Sequence, residues 1–81
     1  VIIGRAKKSD IAIRLPTISR QHARIDNEKE NGHVFLNALT KKNPMYVNNE
    51  VVNGKCQLFD GDIIMIGPRK YLFRDTRVLT L

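Results

Sequence analysis

The chain has no tryptophan, a single cysteine and only 6% aromatic residues. One cysteine, Cys56, excludes an internal disulfide, so burial and hydrogen bonding must hold the fold together, as expected in a reducing compartment such as cytosol or nucleus. Beside Leu58 and Phe59, Cys56 reads as a small buried hydrophobe and not as a reactive thiol. Long apolar runs are missing too. Nothing approaches the ~18–20 consecutive apolar residues of a membrane-crossing helix. No stretch combines a basic head, an apolar centre and a small-residue cleavage site. The expectation is a globular unit with no membrane contact.

Acidic residues are scarce: eight against fourteen lysines and arginines, a formal charge of +6. The imbalance is concentrated. Residues 1–25 carry Arg5, Lys7, Lys8, Arg14, Arg20 and Arg24 against Asp10 alone, whereas residues 26–39 hold Asp26, Glu28 and Glu30 against Lys29. The basic end is therefore expected to face an anion. With 81 residues, the chain (1–81) is read as one domain. A chain of this length buries roughly 60–65% of its unfolded surface, so its core has little to spare.

Apolar residues recur with a period of two, and turn signals interrupt them about every ten residues. Val1-Ile2-Ile3, Ile11/Ile13/Leu15, Ala23/Ile25, Val34-Phe35-Leu36, Met45-Tyr46-Val47, Val51-Val52, Ile63 to Ile66 and Tyr71-Leu72-Phe73 read as strands. Asn31-Gly32, Lys41 to Pro44, Asn48-Asn49, Asn53-Gly54, Asp60-Gly61 and Gly67-Pro68 separate them. Asparagine and glycine accept positive φ, and proline withholds a donor. Val47-Asn48-Asn49-Glu50-Val51 is a two-residue hairpin by this reading. Phe35, Tyr46, Phe59, Tyr71 and Phe73 fall in apolar runs and are expected in the core. Asp60 and Asp62 flank a glycine and read as turn formers; no ligand cluster that would make a metal site accompanies them. The best helical stretch, Ile18 to Asn27, runs into the alternating Ala23-Arg24-Ile25-Asp26, which leaves at most one turn of helix or 3₁₀ around residues 19–22. About nine short strands with tight turns predict an antiparallel sandwich or small barrel.

The residues that carry chemistry stand at strand ends and in loops. Gly4-Arg5 is followed, fourteen residues after the arginine, by Ser19-Arg20-Gln21-His22, and later by Asn43 and by Asp60-Gly61-Asp62 running to Ile66-Gly67. A phosphate monoester dianion calls for charge-assisted donors, and arginine offers two parallel N–H groups that lysine cannot match. A serine hydroxyl and backbone N–H groups in its turn would add to these. Catalysis by a Ser19–His22 pair finds no support, because no oxyanion-hole element accompanies it.

This order and spacing resemble the forkhead-associated domain, a phosphothreonine reader, from Val1 to about Arg74. Members with Leu-Pro-x-x-Ser-Lys-Gln-His and Thr-Asn-Pro-x-x-Val-Asn segments are similar to Leu15 to His22 and Lys42 to Asn48 here. The resemblance implies an all-β, antiparallel β-sandwich of two twisted sheets. It implies that Arg5 and Ser19 bind phosphate, that Arg20 assists, that Asn43 hydrogen-bonds the ligand's main chain, and that Gly4 and His22 keep the loops in shape. Lys42 stands where the family commonly has a phosphate-binding threonine, and Pro44-Met45 replaces the usual Gly-Thr. Lys42 is expected to attract the phosphate as a flexible point charge. Family members usually begin with two strands before the Gly-Arg, and these are expected to lie outside the present sequence, the alternatives being supply by another chain or sheet edges left exposed and liable to pair.

The expected function is thus a phosphothreonine-dependent protein–protein interaction module, not an enzyme, with no cofactor, no metal and a phosphothreonine-containing protein as partner. The resemblance places it in the nucleus, with cytoplasm as the alternative. Two further readings remain open from the residues. A basic β-barrel could use the same cations on nucleic acid and stack bases on aromatics, although the five aromatics look buried. A scaffold sandwich without a phosphate site is the third.

Overall fold

A computed structural model describes residues 1–28, 30–74 and 77–81. The chain runs through β1 (Ile2–Gly4), β2 (Ile11–Ala12), β3 (Ala23–Glu28), β4 (His33–Ala38), β5 (Met45–Val47), β6 (Glu50–Val51), β7 (Lys55–Leu58), β8 (Ile63–Ile66), β9 (Arg69–Arg74) and β10 (Arg77–Thr80). These form two five-stranded sheets, in the orders β2-β1-β3-β4-β7 and β10-β9-β8-β5-β6. Pairing is antiparallel except between β1 and β2, which run parallel with Ile3 beside Ile11. No helix occurs among the described residues. The expected all-β sandwich is the fold observed.

Alternation decides which residues meet between the sheets. In β3, Ala23 and Ile25 are buried while Arg24 is exposed; in β8, Ile64 and Ile66 are buried while their neighbours are half-exposed. Ile3, Leu36, Ile64, Ile66 and Phe73 form the driest part of the core. Ile13 and Ile18 belong to no strand yet are as deeply buried, so the segment between β2 and β3 is pinned to the core by its side chains.

Two turns confirm their residue chemistry. Asn48 and Asn49 take φ values of 50° and 69°, the left-handed pair that a tight two-residue hairpin needs, and Val47 lies opposite Glu50. Asp62 locks the turn between β7 and β8. Its carboxylate accepts from the Phe59 amide at 2.8 Å and from Asn48 Nδ2 at 2.9 Å, while Asn48 Oδ1 accepts from the Ile63 amide at 3.0 Å.

Several expectations need correction. Phe59 is not core but 60% exposed, because Leu58 takes the inward position at the end of β7 and the next residue faces out as the chain turns. Phe35 and Tyr46 are half-buried, whereas Tyr71 and Phe73 are buried. The run Ile11 to Leu15 gives only a two-residue strand. Pro16 has no N–H to extend a ladder, and Ile18 instead turns back to bond the Leu15 carbonyl at 3.0 Å. Strands β7 and β10 were not foreseen. In β7 the half-buried Cys56 pairs with Leu36 and packs against the core from its edge.

Candidate functional site

The end of β1 is fastened to the segment before β3 by three backbone bonds. Arg5 N–H donates to the Ser19 carbonyl at 2.9 Å, Ala6 N–H to the Arg20 carbonyl at 3.1 Å, and His22 N–H to the Ile3 carbonyl at 2.9 Å. Gly4 makes this approach possible. A Cβ at position 4 would stand 2.1 Å from the Arg20 carbonyl oxygen, so the absence of a side chain, and not a positive φ, is what the site requires there.

Arg5 uses one donor internally. Its Nε donates to the Ile18 carbonyl at 2.9 Å, and Ile18 is only 1% exposed, so the guanidinium is tethered to a residue anchored in the core. Its terminal nitrogens make no bond among the described residues, and the residue is exposed. The side chain is oriented at its neck and open at its tip. The Ser19 hydroxyl likewise makes no bond among the described residues.

His22 is fully buried. Its Nδ1 accepts the Ser19 amide hydrogen at 3.1 Å, which places the ring proton on Nε2, and Nε2 donates to the Asn43 carbonyl at 2.9 Å. Both nitrogens are thus engaged by backbone groups, leaving no lone pair to activate the Ser19 hydroxyl. Asn43 has φ +56°, a left-handed value that asparagine tolerates, and its Nδ2 donates to the Thr17 carbonyl. Its amide oxygen makes no bond among the described residues.

The expected residues therefore fall into two groups. Arg5, Ser19, His22 and Asn43 are joined in one bonded cluster at the loop end of the sandwich, with Gly4 packed beside it against the Arg20 carbonyl. The Arg20 carbonyl takes part in fastening β1, but the side chains of Arg20 and Lys42 are exposed and outside that bonding. Arg20 lines an open cleft with Ala6, Lys7, Lys8 and Gln21, and the Lys42 amide donates to Thr40 Oγ1 at 3.1 Å while its ammonium stays unpaired among the described residues. A second cleft, about 540 Å³, opens beside Asn43 along Pro44, Met45, Val51 and Val52. The roles of the Thr17 and Ile18 carbonyls escaped sequence reasoning, since a backbone oxygen leaves no residue-type signal. Away from this cluster, burial, then Asp62 and Glu50, push the Cys56 thiol up, and burial pushes the Tyr71 phenol up against the opposing pull of Arg69.

Residues 1–67 match the sequence pattern of the FHA domain. Over 74 residues the chain is 31% identical to the human proliferation marker protein Ki-67, covering 91% of this chain and 2% of Ki-67. Its fold is similar to the second FHA domain of a Mycobacterium tuberculosis ABC transporter, with a TM-score of 0.85 and 30% identity over 100% of this chain and 72% of that one. It is also similar to Mycobacterium tuberculosis EmbR in complex with a low-affinity phosphopeptide, with a TM-score of 0.83 and 30% identity over 90% of this chain and 19% of that one.

Proposed function

The chain belongs to the forkhead-associated (FHA) domain family, and from that premise we propose that it is a phosphothreonine-dependent interaction module that holds partner segments on the loops at one end of the sandwich. The observation that carries this reading is the tethered Arg5. Its Nε is held at the Ile18 carbonyl while its terminal nitrogens are unpaired among the described residues, beside a Ser19 backbone bonded to the same strand end. A donor fixed in advance loses little entropy when an anion arrives, so its charge-assisted bonds go largely into affinity. The phosphopeptide bound to EmbR supports the same class of partner.

In this reading Arg5 takes two phosphate oxygens and the Ser19 hydroxyl a third. Arg20 and Lys42 add attraction from the rim. The Asn43 amide, whose oxygen is open, receives a main-chain N–H of the peptide. Gly4 and His22 touch no ligand and hold the loops together. The nuclear, cell-cycle setting is supported by the likeness to a proliferation marker protein.

The test is one peptide in three forms: unphosphorylated, phosphoserine and phosphothreonine. Binding is expected only with phosphate, strongest for phosphothreonine, and with a shallow dependence on salt, since few counterions are released. Equal binding of both phosphopeptides would reduce the site to a general anion site.

A further inference from the structure

The cations of this chain are sorted by position. The ion pairs among the described residues are Arg24–Asp26 at 2.9 Å, Lys55–Glu28 at 3.9 Å and Arg74–Asp60 at 3.7 Å. None involves Lys7, Lys8 or Arg20, which border one open cleft of about 650 Å³ together with Ala6 and Gln21. The acid closest in sequence, Asp10, directs its carboxylate to the Ile2 amide at 2.7 Å and makes no ion pair with these cations.

The cleft is built by the same backbone that builds the site. Ala6 N–H bonds the Arg20 carbonyl, and Ser9 N–H closes the turn on the Ala6 carbonyl at 3.0 Å, so Lys7 and Lys8 occupy its two corner positions. Their own amides have no acceptor among the described residues. Three like charges and two N–H donors gathered at one cleft make a positive potential suited to an anion. Arg20 follows Ser19 directly and Ala6 follows Arg5, so this concentration of donors borders the proposed phosphate site.

We infer that the cleft of Lys7, Lys8 and Arg20 is a second anion subsite, taking a further negatively charged side chain of the same phosphopeptide. This rests on the phosphothreonine reading above. The shared chemistry is a carboxylate or a second phosphate close in sequence to the phosphothreonine.

The experiment uses phosphothreonine peptides with neutral flanks, with glutamate scanned through the flanking positions, and with phosphoserine at the same positions. Each is titrated against the native chain, K7A/K8A, and Arg77→Ala as a control for net charge. Lys7 and Lys8 are exposed and make no side-chain bonds among the described residues, so the double variant is expected to fold. A second anion should tighten binding about three- to tenfold. K7A/K8A should lose that gain while binding the neutral-flanked peptide nearly as before, and Arg77→Ala should keep it. A larger gain from phosphoserine than from glutamate identifies a second phosphate as the occupant; an equal gain identifies a carboxylate as sufficient. If the neutral-flanked peptide binds and the second anion adds nothing, or if the gain survives in K7A/K8A, the subsite is overturned and the phosphothreonine reading stands. If no phosphopeptide binds and an oligonucleotide does, with a steep salt dependence, both fall.

Discussion

The buried imidazole of His22 donates from Nε2 to the main-chain carbonyl of Asn43 at 2.9 Å, joining loops twenty-one residues apart. Through Nδ1 the same ring holds the Ser19 amide. One side chain thereby sets the distance between the loop that carries Ser19 and the loop that carries Asn43.

Replacing His22 by alanine should therefore destabilise the fold. It strands the Ser19 N–H and the Asn43 carbonyl and leaves a cavity, together about 2–4 kcal/mol. In a chain of this size each kcal/mol moves the melting temperature by about 4–8 °C. A thermal melt of His22→Ala within a degree or two of the native chain would show that water replaces the ring without loss.

Gly4→Ala should be as damaging without removing a single hydrogen-bonding group. The added Cβ would overlap the Arg20 carbonyl, which can retreat only by parting β1 from the segment before β3. Overpacking of this kind costs about 1–3 kcal/mol or more. Urea denaturation should show a lower midpoint with an unchanged slope, and phosphopeptide affinity should fall with it.

Arg5 and Ser19 should separate binding from stability. Arg5→Ala is expected to weaken phosphothreonine-peptide binding about thirty-fold to several hundred-fold. It should also lower stability by about 1 kcal/mol, because the bond to the Ile18 carbonyl goes too. Ser19→Ala should weaken binding with melting nearly unchanged, since its hydroxyl bonds nothing among the described residues. Isothermal titration that finds less than a threefold loss in folded Arg5→Ala would remove Arg5 from the site.

Discrimination between phosphothreonine and phosphoserine should be modest in this chain. One methyl is worth at most about 1–3 kcal/mol in a shaped pocket, and we propose that the loop from Lys41 to Met45 borders it, a loop that carries Lys42, a flexible point charge on an exposed residue. Lys42→Thr should widen the preference, measured as the ratio of the two dissociation constants. A narrower ratio would show that the lysine stem itself shapes the methyl pocket.

Cys56 should resist alkylation at neutral pH. Burial first, and then Asp62 and Glu50, disfavour its thiolate and raise its pKa above the ordinary value of 9.0. Because the folded value lies above the unfolded one, the neutral thiol contributes stability below the ordinary pKa. That contribution is lost as pH rises through the folded value. The rate of reaction with iodoacetamide should lag behind that of a free cysteine peptide at pH 8 and approach it in more alkaline buffer.

Much of the architecture was legible because it depends on neighbours in sequence. Asn48-Asn49 announces its hairpin, and the alternation of β3 and β8 announces which face turns inward. Phe59 was misread because an apolar run carries no mark of where its strand ends; the inward place belonged to Leu58. The strand Lys55–Leu58 was missed because it is short and offers only two inward residues, Cys56 and Leu58, alternating with Lys55 and Gln57.

For the candidate site, sequence alone determined the inventory: an arginine after a glycine, a serine and a histidine three residues apart, an asparagine before a proline, and an excess of positive charge at one end. Only the tertiary structure decided how they are joined. The Gly4 contact with Arg20, the Arg5 tether to Ile18 and the His22 bridge to Asn43 are long-range contacts. Local backbone preference sets φ, ψ and the alternation of faces, but it carries no information about which distant carbonyl will receive a buried N–H. That choice is made when the sheets close on their core and every polar group left inside has to find a partner.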